Sequence, residues 1–579
     1  MILDPMVVHY RVGLEDRAGH RFSVEVSVPA GVGAVNFPSW APGSYLMREF
    51  ARFVRDVHAH RDGTPVAVRR VSRNQWQVEG PCTLQYQVYA REKSVRTAFL
   101  DEELAFFLPS NLLVYVDGQD RSTLTVEVPA GHLALCPLGP LHSGATVGGQ
   151  AGEARFEADS LDTLMDSPVA IGRFDGQHFD ADGVPHEHWI MPGHNGDMAK
   201  MARDLRSIVL AASGVFGDGF PYPHYQFVTL HQRAGHGGLE HKNNSILLRP
   251  RMGFAEARGY EEFLTLAAHE HFHAWNVKRI HPEELGPRFD YANEHYTREL
   301  WWLEGGTVYY EERIVLLAGV VTPDRHLERL ADHVFRLRSQ PGRRHQSLED
   351  SSFDAWIKLY RPSEDAINST ISYYLKGAVV LMCLDLELRH RSQGARSLDD
   401  LMRALWQGWG RHGCGFPPGT IERLAGELAG GGGEFSRWYA AHVRGTDDVD
   451  VERALDHAGL DLVAVSGKAG GWLGVDLSRL VVTAVREDGP AAGVLSPGDE
   501  LIALDGERLE AGGLSERLRD LAPSTTVNVH YARDGRLCIG QLRLGATPPS
   551  ELKIVRREHT SQPREAVRRG WLHGPDAKP

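Results

Sequence analysis

Cysteine is scarce in this sequence. The 579 residues include five cysteines, which are widely spread and odd in number: Cys82, Cys136, Cys383, Cys414 and Cys538. Such a distribution does not fit a disulfide framework, so we expect reduced thiols and predict a cytoplasmic protein. A periplasmic location stays open if a signal peptide was removed before the first residue.

Long apolar runs and an excess of positive charge are missing as well. The longest apolar runs, such as IVLLAGVV, fall far short of the roughly 20 residues that cross a bilayer. The net charge of −13 argues against a nucleic-acid backbone or an anionic membrane as the main partner. No internal repeat is evident, and 42% hydrophobic with 24% charged residues is typical of an ordinary folded protein.

The length and the changing sequence pattern predict several domains and a multidomain α+β fold. Alternating segments such as RFSVEVSV and TLQYQVYA predict an all-β domain at 1–170, where PSWAPGSY is interpreted as a packed turn. Helix and strand patterns around a Gly-rich segment follow at 171–325, and helical periodicity dominates 326–460. Short strands return at 465–545, and the polar, Pro-containing segment 546–579 is predicted to be a mobile tail.

The stretch AAHEHFHAWNVKRI, residues 267–280, carries the clearest chemical motif. Its apolar spacing predicts a helix, on which His269 and His273 lie one above the other about 6 Å apart along the axis. Both imidazoles could bind one metal ion, whereas His271 points elsewhere. Glu270 flanks the pair and could take a proton from a metal-bound water, as in H-E-x-x-H metallopeptidases.

A catalytic zinc site usually has a third protein ligand, and the local sequence leaves its identity open. The metzincin continuation is absent, because Asn276 and Arg279 stand where that pattern requires Gly and His. The carboxylates within reach further along the chain are Glu283, Glu284, Glu294, Glu299, Glu304, Glu311 and Glu312. Glu304 stands out because its neighbours in LWWLEGGTVYYEER predict burial, and a buried carboxylate needs a positive partner.

These motifs resemble those of the glycyl aminopeptidases, which are gluzincin metallopeptidases. AAHEHFHAWNVKRI, LWWLEGGTVYYEER, ISYYLKGAVV, PSWAPGSYLMREFARFV and GHGGLEH occur in the family's order and spacing. The resemblance implies one zinc ion per chain, with His269, His273 and Glu304 as ligands and Glu270 as general base. It also implies an N-terminal β-sandwich, a thermolysin-like catalytic domain over 171–325 and a helical domain.

The resemblance also assigns substrate-binding and catalytic side chains. Tyr374 of ISYYLKG matches a Tyr-x-Lys-Gly tyrosine that stabilises the oxyanion, although a core aromatic residue is the simpler interpretation. GHGGLEH is similar to the Gly-x-Met-Glu-Asn strand of the alanyl aminopeptidases, with Gly237, Gly238 and Glu240 in the corresponding places. Two glycines allow close approach of a substrate backbone, and a carboxylate can pair with a free α-ammonium.

The segment near the C-terminus resembles a PDZ domain in GWLGV followed by SPGDELIALDGERL. In such a domain the backbone N–H groups of Trp472, Leu473 and Gly474 would bind a peptide C-terminus, unless the glycine only makes a turn between strands. The sequence as a whole predicts a zinc aminopeptidase acting on free Gly or Ala amino termini. A zinc endopeptidase, a noncatalytic PDZ adaptor and a structural metal site are the alternatives.

Overall fold

The computed structural model of the chain describes residues 6–139, 150–286, 288–467, 470–510 and 512–574. The chain divides into two compact units. The first unit comprises residues 1–296, 317–320 and 402–418, and the second comprises residues 297–316, 321–401 and 419–579. Each unit buries apolar side chains of its own.

The first unit begins with a β-rich region that ends at residue 172. Its strands are β1 (Val7–Asp16), β2 (Arg21–Val28), β3 (Ala34–Asn36), β4 (Val54–Arg61), β5 (Thr64–Val66), β6 (Arg69–Arg70), β7 (Gln75–Gln77), β8 (Cys82–Tyr89), β9 (Phe99–Leu100), β10 (Leu104–Phe107), β11 (Arg121–Val128), β12 (Leu133–Leu135), β13 (Gly152–Ala158) and β14 (Val169–Gly172). The short helices are α1 (Pro109–Leu112), α2 (Leu161–Met165) and the 3₁₀ helix Phe50–Phe53.

These strands form three sheets. The largest has the order β13-β11-β1-β2-β8-β4-β5, and the others are β12-β14-β10-β9 and β3-β7-β6. In β2 and β8 buried side chains alternate with more exposed ones, as expected where one face of a strand packs on a core. The predicted all-β region is therefore confirmed as a β-rich region.

The rest of the first unit places two long helices on a five-stranded sheet. The elements are β15 (Asp175–Ala181), β16 (Val184–Ile190), α3 (Met198–Phe216), β17 (Tyr225–Gln232), β18 (Gly237–Glu240), β19 (Asn244–Pro250), α4 (Ala257–Phe272) and the 3₁₀ helix Glu283–Leu285. The sheet has the order β15-β16-β17-β19-β18. β16, β17 and β19 are parallel, while β18 pairs antiparallel with β19 at the edge and contacts α4.

Helices dominate the chain from residue 300 to residue 456. They are α5 (Leu300–Leu317), α6 (Pro323–Arg338), α7 (Leu348–Phe353), α8 (Ala366–Ser369), α9 (Tyr373–Arg391), α10 (Leu398–Gly408), α11 (Thr420–Leu428), α12 (Gly432–Tyr439) and α13 (Val451–Asp456). Shorter turns are the 3₁₀ helices Pro341–Arg344 and Gly410–His412 and the π-helix Ala440–Arg444. The predicted helical region is confirmed.

Within the second unit, α5 and α9 touch backbone to backbone. A Cβ atom on Gly305 of α5 would lie 2.7 Å from the carbonyl oxygen of Tyr373 and 2.8 Å from the Cα of Gly377. Any larger residue would therefore force the helices apart. Because Glu304 precedes one of these glycines and Tyr374 lies three residues before the other, this crossing fixes both predicted site residues relative to each other.

The remaining chain forms a small β region and a final helix. The elements are β20 (Leu460–Val465), β21 (Gly471–Trp472), β22 (Val475–Ser478), β23 (Val481–Val485), β24 (Glu500–Leu504), β25 (Glu507–Arg508), α14 (Gly513–Asp520), β26 (Thr526–Arg533), β27 (Arg536–Arg543), β28 (Gly545–Ala546), β29 (Glu551–Arg556) and α15 (Gln562–His573). The main sheet is β22-β23-β24-β26-β27, and β25 adds to β24. β20 pairs antiparallel with β29, so the segment between these two strands begins and ends at the same ladder.

The final helix α15 is anchored by a buried polar cluster. Arg313 Nη1 of α5 donates to the carbonyl oxygen of Trp571 at 2.8 Å, and Trp571 Nε1 donates to the Tyr309 hydroxyl at 2.9 Å. Tyr309 in turn donates to Asp385 of α9 at 2.6 Å. Burial alone would lower the pKa of Arg313, but Tyr309, Asp399 and Asp385 raise it above its usual range. The guanidinium therefore stays charged and holds α5, α9 and α15 together.

Two sequence-based expectations need correction. The helix predicted over 267–280 ends at Phe272, because the following residues form turns in which Ala274 N–H and Trp275 N–H bond to carbonyls three residues back. The predicted mobile tail is ordered between Glu551 and His573, since β29 joins a ladder and Trp571 is fully buried; residues 575–579 lie outside the described chain. The bounds of the five predicted segments stay a prediction. None of the described helices combines the length and the apolar character needed to cross a membrane.

Candidate active site

The two motif histidines face each other at the C-terminal end of α4. The Nε2 atoms of His269 and His273 lie 3.1 Å apart, with the rings nearly perpendicular at 83°. Two nitrogens bound to one tetrahedral metal ion at about 2.0–2.1 Å would lie about 3.4 Å apart, so the pair fits a metal site. His273 caps the helix with φ −61°, which keeps its side chain on the same face as His269.

The backbone after α4 determines which nitrogen of His273 is available to a metal. Its Nδ1 lies 2.8 Å from the carbonyl oxygen of Asn276, and a carbonyl can only accept a hydrogen bond. Nδ1 therefore carries the proton and Nε2 keeps its lone pair, as a metal ligand requires. His271 is fully buried and contacts the Tyr222 hydroxyl instead, and burial lowers its pKa well below the usual range.

Strand β18 leaves space for the carboxylate of Glu270. Glu270 is 4% exposed, and a Cβ atom on Gly238 would lie only 1.9 Å from its Oε1. A glycine at 238 is therefore required if Glu270 is to keep this position. Gly237 has no such neighbour, since the nearest atom to its Cβ position is a methyl carbon of Val95 at 4.0 Å. The role of both glycines in substrate approach stays a prediction, whereas the structure shows that Gly238 leaves space for Glu270.

Glu240 at the end of β18 lies near the same site. One oxygen of Glu240 lies within 4.8 Å of ligand atoms of Glu270 and His273. Glu240 is 4% exposed, and a Cβ atom on Gly43 would lie 2.5 Å from its Oε1. Gly43 has φ +81° and belongs to PSWAPGSY, so this turn packs directly over the Glu240 carboxylate. The first unit thus gathers His269, Glu270, His273, Gly238 and Glu240.

A buried cluster next to Glu240 was not predicted from the sequence. Asp166 accepts hydrogen bonds from Lys278 Nζ at 2.8 Å, His241 Nδ1 at 3.1 Å and Lys242 N at 2.9 Å. Lys278 Nζ also lies 3.8 Å from Glu240 Oε1. Burial would raise the pKa of Asp166, but the charges of Lys278 and His241 lower it well below its usual value. No local signal reveals Asp166, which lies 112 residues before Lys278.

The second unit carries the two other predicted site residues. Glu304 on α5 is 2% exposed, and Tyr374 on α9 is partly exposed with its hydroxyl 2.9 Å from the Tyr360 hydroxyl. Removal from water raises the pKa of Tyr374 well above its usual value, and the nearby Glu304 and Tyr360 raise it further. Tyr374 therefore keeps its proton at neutral pH and can donate a hydrogen bond.

Exposure and hydrogen bonding distinguish several of the carboxylates that the sequence offered as a third metal ligand. Glu283 and Glu284 are exposed. Glu312 is buried, but its two oxygens already accept hydrogen bonds from Arg329 at 2.5 and 2.8 Å. Glu304 is buried as the sequence predicted, and its part in metal binding stays a prediction.

Comparisons with known proteins agree with these motifs. Residues 9–173 match the family model described as the peptidase M61 N-terminal domain, and residues 262–380 match the M61 glycyl aminopeptidase model. An aminopeptidase N family protein from Idiomarina loihiensis is 29% identical, with a TM-score of 0.89 over 98% of this chain and 100% of its own. No curated protein matches the sequence.

More distant solved structures include a mutant M1 zinc metallopeptidase from Deinococcus radiodurans. It is 15% identical, with a TM-score of 0.48 over 76% of this chain and 93% of its own. Both M61 models match in the expected order, and the second covers His269 and His273. Residues 9–173 and 262–380 therefore carry the N-terminal and the peptidase domain of the M61 glycyl aminopeptidase family.

Proposed function

We propose that this chain is a zinc-dependent aminopeptidase that releases Gly or Ala from peptides with a free amino terminus. The observation that carries the proposal is the pair of imidazole Nε2 atoms of His269 and His273, 3.1 Å apart, with the buried Glu270 carboxylate beside them. This is the arrangement of a metal-assisted hydrolase.

One zinc ion per chain is proposed, held by His269, His273 and Glu304. The fixed tautomer of His273 and the burial of Glu304 support this ligand set, because a metal ion would stabilise the charge of a buried carboxylate. When bound, zinc would supply a Lewis acid and a water of lowered pKa. Protein side chains would carry out proton transfer, oxyanion stabilisation and substrate binding.

Glu270 is proposed as the general base and Tyr374 as the oxyanion donor. The Glu270 carboxylate would accept a proton from the attacking water and return it to the departing amine nitrogen, which leaves poorly as an anion. Tyr374 keeps its proton because its pKa is raised, so its hydroxyl can donate to the oxygen of the tetrahedral intermediate.

Glu240, Gly237 and Gly238 are proposed to hold the amino end of the substrate. The Glu240 carboxylate would pair with the α-ammonium, which is largely charged at neutral pH because its pKa is near 8. The edge position of β18 supports this role, since a substrate backbone can approach the open edge of a strand with two glycines. An endopeptidase remains the alternative, and it would not need a free amino terminus.

The β region between β20 and β29 is proposed to be a PDZ domain that binds a peptide C-terminus. β22 is an edge strand of the described sheet, where a peptide could add. Leu473 and Gly474 precede it, and neither backbone N–H donates to any described residue. Free N–H groups at this turn suit a carboxylate. The cytoplasmic location stays a prediction.

The proposal is tested by measuring release of free amino acids from amides of glycine, alanine and leucine and from N-acetylglycinamide. We expect glycinamide and alaninamide to be cleaved, leucinamide and the acetylated compound to resist, and a chelator to stop turnover until zinc is restored. Equal cleavage of acetylated and free substrates would replace the aminopeptidase by an endopeptidase. Chelator-resistant turnover would remove the metal mechanism.

A further inference from the structure

A cavity in the second unit is not used by the proposed mechanism. It has a volume of about 1020 Å³ and lies between α6, the segment before α9 and the β region after β20. We call it the α6 cavity. Its apolar walls include Phe335, Leu359, Pro362, Ile367, Trp472 and Leu552. This volume is at the upper end of the range for ligand sites and suits a peptide of several residues more than a single amino acid.

The two walls of the α6 cavity are joined by hydrogen bonds. Asn368 Nδ2 donates to the carbonyl oxygen of Val485 at 2.8 Å, and Glu487 N–H donates to Asn368 Oδ1 at 2.9 Å. Arg486 also donates to the carbonyl oxygen of Ser339 at the end of α6. These bonds hold the β region against the helices, so the cavity has defined walls.

The lining of the α6 cavity includes residues from two proposed binding segments. Its lining includes Ser372, two residues before Tyr374, and Leu359, next to Tyr360 in sequence; the hydroxyls of these two tyrosines lie 2.9 Å apart. Its lining also includes Trp472, the first residue of the turn with the free N–H groups. One cavity thus connects the segments around the proposed oxyanion donor with the proposed carboxylate-binding turn.

The charges around the α6 cavity favour an anionic ligand. Four basic side chains line it, Arg336, Arg338, Lys358 and Arg486, against two acidic ones, Asp476 and Asp488. Most are paired, but Arg336 is 58% exposed and its nearest carboxylate, in Asp332, lies 3.9 Å away. Exposed pairs of this kind are weak, so the Arg336 guanidinium is available to a peptide carboxylate.

We propose that the α6 cavity holds the carboxyl-terminal part of the same peptide whose amino end is cleaved. The inference rests on the proposed aminopeptidase function and narrows its substrates to oligopeptides with apolar side chains and a free carboxyl end. The turn at Trp472, Leu473 and Gly474 then binds the carboxyl terminus of the substrate itself, so a separate protein partner is not needed. A dipeptide or a chromogenic amide would not reach the cavity.

The first test compares turnover of three substrates by the full-length enzyme. These are glycyl-p-nitroanilide, an apolar glycyl hexapeptide with a free carboxylate, and the same hexapeptide as its C-terminal amide. We expect kcat/KM of the native enzyme to be about tenfold higher for the free acid than for the amide. Ile367→Trp should fill the cavity and remove this preference, while hydrolysis of glycyl-p-nitroanilide changes less than about twofold.

Ile539→Trp is the matched control, because Ile539 is 68% exposed on β27 and does not line the cavity. Pro362→Trp, at an exposed position of the cavity wall, repeats the test if Ile367→Trp does not fold. Equal cleavage of acid and amide by the native enzyme would overturn the inference. An equal loss on long and short substrates in both cavity variants would also overturn it.

A binding measurement separates this inference from the proposed function. Calorimetry with the N-acetylated hexapeptide acid does not depend on turnover or on a free amino terminus. Binding that is weakened about tenfold by Ile367→Trp but not by Ile539→Trp supports the cavity even if no substrate is cleaved. Absence of binding to the native chain, or equal binding to both variants, overturns it, whatever the result with amino acid amides.

Discussion

At the scale of single residues, two glycines shape the surroundings of the proposed base and the proposed amine-binding carboxylate. Gly238 faces Glu270, and Gly43 covers Glu240. The sequence indicated the first as part of a substrate strand, whereas the second lies in a turn that the sequence analysis interpreted as packing alone. The turn does pack, but it packs on a proposed substrate-binding residue. A motif pattern cannot reveal this, because Gly43 and Glu240 are almost two hundred residues apart.

Gly238→Ala should lower kcat by about 10²-fold or more, since the added methyl group would lie 1.9 Å from Glu270 Oε1 and displace the general base. Zinc content, measured by atomic absorption, should stay at one ion per chain. Gly214→Ala on α3 is the control, because its Cβ position has no atom within 4 Å. A Gly238→Ala enzyme of normal rate would mean that Glu270 is not the base.

Glu240→Gln should lower kcat/KM by about 10- to 100-fold for peptides with a free amino terminus, because a charge-assisted contact becomes a neutral one. The residual rate on acetylated peptides should not change. Glu256→Gln, at an exposed position before α4, controls for the substitution itself. If Glu240→Gln affected free and acetylated peptides alike, Glu240 would not select the amino terminus.

Tyr374→Phe should reduce kcat by about 10²- to 10³-fold, the scale expected when one oxyanion donor is removed. The aromatic ring and its packing are retained, so zinc content and the melting temperature should remain near those of the native enzyme. Tyr89→Phe, at a position that is 44% exposed, is the control. A near-normal rate would return Tyr374 to a purely structural role beside Tyr360.

At the scale of elements, periodicity predicted the helices and strands around the site but not where each ends. α4 stops at Phe272 although the apolar pattern continues, because the following turns take over the hydrogen bonding and His273 donates to the Asn276 carbonyl. The sequence pattern also could not predict contacts between residues far apart in the chain. Asp166 is joined to Lys278 only by the tertiary fold, and the helix α15 is polar in sequence except for the few side chains that it buries.

The close contact between α5 and α9 predicts that a larger residue at Gly377 lowers both stability and activity. A Cβ atom on Gly377 would lie 2.7 Å from the carbonyl oxygen of Trp301 and 3.1 Å from the Cα of Gly305, so Gly377→Ala must separate the helices. We expect a loss of about 1–3 kcal/mol in the free energy of unfolding, measured with denaturant, together with a lower kcat.

Gly408→Ala at the end of α10 is the control for Gly377→Ala, because no atom lies within 4 Å of its Cβ position. If the Gly377 variant were as stable and active as the control, the spacing of the two helices would not set the geometry of Glu304 and Tyr374.

At the scale of the whole molecule, the β region proposed as a PDZ domain is an insertion in the second unit. Val465 of β20 is paired directly with Glu551 of β29, so a two-residue turn can replace residues 466–550. The enzyme without residues 466–550, called the excised enzyme, should hydrolyse glycyl-p-nitroanilide at a rate close to that of the native enzyme. It should also lose any preference for peptides with a free carboxylate.

A chain that stops after residue 561 should behave differently, because it lacks the buried Trp571 and its bonds to Arg313 and Tyr309. Loss of such a side chain costs about 3–5 kcal/mol, and the Arg313 donor would lose its acceptor. We expect a clearly lower melting temperature by calorimetry than for the excised enzyme. Equal stability of the two shortened chains would contradict a structural role for α15.

The anchoring of α15 also has a consequence for the order in which the chain is made. Arg313 meets the carbonyl of Trp571 across 258 residues of sequence. At about 5–20 residues per second, a ribosome needs about 13 to 50 s to synthesise that interval. During this time the cluster on α5 lacks its last partner, so a nascent chain that is interrupted in the inserted β region cannot complete the cluster. Quality control could distinguish such a chain by its unfinished helical core.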